Sequence, residues 1–147
     1  MQKAPGQWVY ILATVWLLTS VGVTIVHSAP SPSQSVPPMM IPLAADGVQR
    51  ATVTLDSYSY TPNHLIVEAE KPVELTLTSV TTIIPHNFII KDPAGRLSVE
   101  QDVSAGKTIT ITFTPTQPGI FPIYCDKRLW PLPSHRDNGM EGTLEVR

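Results

Sequence analysis

Cysteine is nearly absent from this chain: Cys125 is the only one in 147 residues, so no internal disulfide can staple the fold. Charge is sparse and balanced, at 15% of residues with a net −2, which excludes the basic footprint that nucleic-acid binding requires. Helix-favouring Ala-Leu-Glu-Lys periodicity is scarce, and there are no heptads, no internal repeat and no glycine-rich loop to cradle a phosphate. Once an apolar N-terminus is set aside, the length allows one domain of about 100 residues with one modest core. Fifteen prolines and many Thr and Val residues point instead to short strands and turns, hence to an all-β domain.

From Trp8 to His27 no side chain carries a fixed charge. A helix of this length spans about 30 Å, the thickness of a bilayer's hydrocarbon layer. Residues 1–28 therefore read as a signal anchor or a signal peptide. The length favours the uncleaved transmembrane helix, because the apolar stretch of a cleaved signal is usually only about 7–15 residues. Lys3 precedes the apolar run and the next basic residue is Arg50, so either reading puts the rest of the chain on the periplasmic or other extracytoplasmic side. Residues 29–48 contain Pro30, Pro32, Pro37, Pro38 and Pro42 and are expected to be an extended linker. Met39 and Met40 read as ordinary linker content rather than as a copper(I) contact.

From Gln49 onward the pattern changes to period two. Ala51-Val53-Leu55, Leu65-Val67-Ala69, Val73-Leu75-Leu77, Ile109-Ile111-Phe113 and Leu144-Val146 alternate with polar neighbours, as half-buried strands require. Asp92-Pro93-Ala94-Gly95, Ser104-Ala105-Gly106 and Gln117-Pro118-Gly119 punctuate them as turns. The spacing predicts a Greek-key β-sandwich over 49–147. Pro122 lies inside one strand and calls for an edge or a bulge there.

An unpaired cysteine in an exported chain is filler, an intermolecular partner, a reactive thiol or a metal ligand. Phe121, Ile123 and Cys125 alternate to one side of a strand, and a loop then carries His135 and Met140 before the last strand. Upstream, His86 in Pro85-His86-Asn87-Phe88 stands where another apolar strand begins. A thiolate, two imidazoles and a thioether form a donor set suited to copper in both its +1 and +2 states. Zinc is the competing metal, since Cys and His bind it well. Cys125 and His135 have no evident third orienting group for a hydrolytic triad. His64 is expected at a surface strand start, and His27 flanks the apolar segment.

Pro85-His86-Asn87-Phe88, Gly119 through Cys125, and His135-x4-Met140 framed by Gly139 and Gly142 resemble the cupredoxins, the small blue-copper proteins of the plastocyanin and azurin kind. The resemblance covers about Tyr58 to Val146. It implies one copper ion held by His86, Cys125, His135 and an axial Met140, with Asn87 tying the two ligand loops together. It also implies that His135 is the port for electrons. One departure is large: nine residues separate Cys125 from His135, against two to four in familiar members. The insertion carries Lys127-Arg128-Leu129-Trp130 and suggests docking of a partner.

The expected function is one-electron transfer by a carrier that is not an enzyme. Its partners would be redox proteins, among them a membrane respiratory complex, with the N-terminal helix holding it to the membrane. The alternatives are a copper chaperone or storage protein serving a membrane oxidase, and an accessory subunit that uses the loop only for assembly.

Overall fold

The computed structural model describes residues 37–147. The anchor or signal segment expected over 1–28, with His27 beside it, and the first part of the linker lie outside the described residues. The elements are all strands: β1 (Met39–Met40), β2 (Gln49–Asp56), β3 (Ser59–Thr61), β4 (His64–Val67), β5 (Val73–Ser79), β6 (His86–Lys91), β7 (Ser98–Val103), β8 (Thr108–Phe113), β9 (Gly119–Tyr124) and β10 (Glu141–Val146). They form a six-stranded sheet in the order β1-β4-β10-β9-β6-β7 and a four-stranded sheet in the order β3-β2-β5-β8. Among the described residues no helix is long and apolar enough to cross a membrane.

The alternation read from the sequence places the core between the sheets. In β5 every second residue is buried, Val73, Leu75 and Leu77 facing inward with Ser79. Val53 and Leu55 from β2, Phe88 and Ile90 from β6, Phe121 and Ile123 from β9, and Leu144 and Val146 from β10 complete that interior. Tyr60 packs edge-on against Phe88, with ring centroids 5.7 Å apart. In β6 every residue from His86 to Ile90 is buried, so both faces are covered and the strand shows no alternation.

One expectation is corrected by the structure. The domain begins before Gln49: β1 pairs in parallel with β4, and Ile41 donates to the carbonyl of Ile66 at 2.9 Å and is only 2% exposed. Without these residues β4 would present a free hydrogen-bonding edge. Their high proline content reads as linker although they cover that edge. Gln49 is itself wholly buried, donating to the carbonyl of Glu68 and accepting from its N–H, so its amide is satisfied in the interior. Pro122, for its part, meets the edge expected there: it keeps unbroken register with β10 on one side, while the pairing with β6 on the other does not reach it. Thr143 opposite it donates to Asn63 on the far side, so Pro122 faces away from β10, and the β6 ladder ends at Ile123 just before it. The missing N–H thus falls where no partner waits.

Truncating Ile41 tests the earlier domain start. Ile41→Ala is expected to lower stability by about 2–4 kcal/mol in urea denaturation, as for a buried aliphatic side chain. A residue in a loose linker would change it by less than about 0.5 kcal/mol.

Candidate metal centre

Neighbouring strands of the six-stranded sheet bring His86, Cys125 and His135 together, with one donor atom from each within 4.8 Å of the others. His86 opens β6, Cys125 follows the last residue of β9, and His135 lies in the loop before β10. His86 and Cys125 are fully buried and His135 is 8% exposed. Met140 is also fully buried, and its backbone links the other two residues of its segment: its N–H donates to His135 at 2.9 Å, and its carbonyl accepts from Cys125 at 3.2 Å.

The tautomer of His86 follows from the hydroxyl behind it. Thr81 Oγ1 donates its one hydrogen to the carbonyl of Ile84 at 2.6 Å, so toward His86 Nε2, 3.4 Å away, it can only accept. The imidazole proton therefore sits on Nε2, and Nδ1 keeps a bare lone pair. That Nδ1 is buried with no hydrogen-bond partner. A polar atom left so in a protein interior costs about 1–3 kcal/mol unless something binds it. On the opposite ring, His135 Nδ1 lies 3.4 Å from the Cys125 sulfur.

The sulfur receives the backbone N–H of Asn87 at 3.4 Å, and the N–H of Lys127 also favours its thiolate. Burial outweighs both and pushes the thiol's pKa up. Burial likewise pulls His135 down, and it pulls His86 to about 4 with help from the neighbouring His135 charge. Both imidazoles are thus neutral and ready to donate at neutral pH. What the protein withholds from the thiolate a cation would supply. These donors fit one copper ion: a soft sulfur, two imidazoles with available nitrogens, and the second nitrogen of His86 already oriented by Thr81.

Asn87 joins the two ligand-bearing segments as expected. Its side-chain amide donates to Asp126 Oδ1 at 2.7 Å and accepts the Asp126 N–H at 3.1 Å. The carbonyl of Asn87 accepts from the Tyr60 hydroxyl at 2.6 Å, and burial followed by the nearby Cys125 and Asp126 holds that phenol protonated.

The long Cys-to-His connection does not displace His135. The His135 N–H donates to the Lys127 carbonyl at 2.9 Å, so the chain leaves after Lys127 and returns to the same point. Ser134 and Asp137 close the return by exchanging three hydrogen bonds. Arg136 lies 4.3 Å from the centre of the Tyr124 ring and pairs with Glu141, which links the chain neighbours of Cys125, His135 and Met140. Two glycines permit the final turn. Gly139 has φ +95, and a Cβ on Gly142 would stand 2.5 Å from the Asn63 carbonyl oxygen that accepts from Thr143.

The excursion itself projects outward. Leu129, Trp130 and Leu132 are exposed, and with Ile83, Pro85 and Tyr58 several of these residues flank a groove of about 410 Å³ that reaches His135. His64 begins β4 at the surface, as expected, and pairs with Glu145 at 3.2 Å. Met39 and Met40 are exposed in β1, outside the donor group. Thr81, Tyr60, Asp126 and Tyr58 were not legible as site residues from the sequence. Asp126 adjoins Cys125 and Thr81 lies five residues before His86, whereas Tyr58 and Tyr60 arrive from a hairpin distant in sequence.

The sequence matches the family model of the cupredoxin-like domain over residues 11–144. A search of curated proteins finds no match. Among solved structures, the metal-binding domain of the Streptococcus pneumoniae D39 Cu(I)-exporting P-type ATPase CopA is similar, with a TM-score of 0.57 and 17% identity, covering 76% of this chain and 96% of that one. Reduced auracyanin from the photosynthetic bacterium Roseiflexus castenholzii gives a TM-score of 0.54 at 20% identity, covering 67% and 96%. Auracyanin B gives 0.53 at 18%, covering 76% and 91%.

Two outcomes are expected of the centre. Asn87→Ala removes both bonds to Asp126 and should cost about 1–3 kcal/mol in stability and about 10–100-fold in copper affinity, read by chelator competition. In the metal-free protein His86 has a folded pKa near 4 against about 6.5 unfolded, so between these values the unfolded chain binds more protons. Stability should therefore be full above about pH 6.5 and fall as the pH drops toward 4. Urea midpoints across that range should show a slope that His86→Gln reduces.

Proposed function

The chain belongs to the family of cupredoxin-like domains, and on that premise we propose that it is a type 1 copper protein that carries single electrons on the outer face of a membrane. The observation that carries this reading is the buried, unpartnered Nδ1 of His86 in a donor group completed by Cys125 and His135. Bound copper would supply a one-electron couple between its +1 and +2 states. His86, Cys125 and His135 would hold it, with the Met140 thioether as a fourth donor.

The protein's part is to keep those donors in place. Thr81 orients His86, Asn87 and Lys127 offer N–H groups to the sulfur, and the Asn87–Asp126 bridge fixes the two loops. Donors that do not move between oxidation states keep reorganisation small, which suits electron transfer. In this reading the chain is a carrier and not an enzyme. His135, at the floor of the groove, is the port, and a redox partner docks over Leu129, Trp130 and Leu132. Residues 1–28 would tether the domain to the membrane, in reach of a respiratory complex.

A second reading, copper delivery to a membrane oxidase or storage, is favoured by the similarity to the metal-binding domain of a Cu(I)-exporting ATPase. The excursion after Lys127 would then serve as an opening lid. Ready loss of copper to a moderate chelator favours delivery, and retention with fast electron exchange favours the carrier.

Loading the protein with Cu(II) should produce an intense visible sulfur-to-copper charge-transfer band that Cys125→Ser abolishes. A colourless, redox-silent adduct would rule out the carrier.

A further inference from the structure

The two histidines of the centre are held by different means. His86 has a hydrogen-bonding hydroxyl on its distal nitrogen, whereas for His135 the described residues supply a polar contact only at Nδ1, on the side of the sulfur. What closes the flank of His135 is Tyr58, whose ring meets the imidazole edge-on with centroids 5.2 Å apart and an interplanar angle of 75°. Tyr58 lies on β2–β3, in the two-residue turn between the paired residues Asp56 and Ser59. Its φ is 62°, the left-handed region where glycine or asparagine is at home and a bulky side chain is strained. A tyrosine in that conformation is strained and persists only where its surroundings compensate. The side chain is 39% exposed, so core packing does not explain it. It does line the groove that leads to His135.

We infer that Tyr58 is the positioning residue of His135: an aromatic lid that holds the imidazole in its metal-facing orientation and screens its outer edge at the mouth of the groove. This rests on the copper-carrier reading for its consequences but not for its geometry. The left-handed turn aims the side chain across the site. The ring then replaces, by packing, the orienting hydrogen bond that Thr81 gives to the other histidine. Because the contact is made by the ring, the phenol hydroxyl is dispensable to it.

Two variants of the full-length protein separate this from a role in folding. Tyr58→Gly removes the ring and relieves the backbone, and Tyr58→Phe keeps the ring. In the metal-free protein, modification of His135 by diethyl pyrocarbonate, read by peptide mass, should accelerate several-fold in Tyr58→Gly and stay at the parent rate in Tyr58→Phe. In the copper-loaded protein, Tyr58→Gly should shift the EPR parameters and the reduction potential and release copper to a chelator about tenfold faster, as loss of an orienting contact does. Tyr58→Phe should restore all three. Parent-like modification of His135 in Tyr58→Gly overturns the inference. So does equal disturbance of both variants, or a Tyr58→Gly protein whose faster modification merely tracks a lower urea midpoint. If the loaded parent lacks the charge-transfer band, the carrier reading fails while the metal-free comparison still decides the role of Tyr58.

Discussion

The reciprocal hydrogen bonds between the Asn87 amide and Asp126 join two stretches of chain 39 residues apart, and the geometry of the site depends on that clasp. One stretch begins with His86 and the other with Cys125. With the clasp in place the Asn87 N–H reaches the sulfur, and the two donors approach from opposite strands of one sheet. Each partner supplies both a donor and an acceptor, Asp126 through its backbone N–H and its carboxylate. The Asp126 carboxylate also brings a negative charge beside the sulfur, which adds to burial in pushing the Cys125 thiol's pKa up.

His135 and Met140 are fixed by a different device. Backbone bonds from His135 to Lys127, from Met140 to His135 and from Cys125 to Met140 stack the segment on itself. The nine residues between Cys125 and His135 are therefore accommodated while His135 is held at its place, since the excursion is pinned at its base. Leu129 and Leu132 in this excursion place exposed apolar surface beside His135. Loops grow most easily where both ends are held by the scaffold.

Much of this was legible in the sequence, and the reasons differ by element. Strands such as β5 alternate strictly because one face meets the core and the other meets water. The apolar run of β6 carries no such information, since both faces are buried. His86, Cys125 and His135 were recognisable because soft and imidazole donors in that order have few other uses together. Composition misled at Met39 to Ile41, where proline-rich sequence covers the open edge of β4. Tyr60 and Tyr58 were not readable, because a hydroxyl or ring acting on a distant stretch of chain leaves no local pattern, and Thr81, though only five residues from His86, reads as an ordinary turn residue. The parallel pairing of β2 with β5 and of β4 with β10 was equally hidden, as alternation fixes faces and not neighbours.

The central claim is that buried sulfur and two imidazole nitrogens hold one copper ion. X-ray absorption at the copper edge of the loaded, full-length protein measures that first shell directly. The account predicts one short copper–sulfur distance and two imidazole nitrogens, with the short sulfur lost in Cys125→Ser. A shell of nitrogen and oxygen alone, unchanged by that substitution, would contradict it.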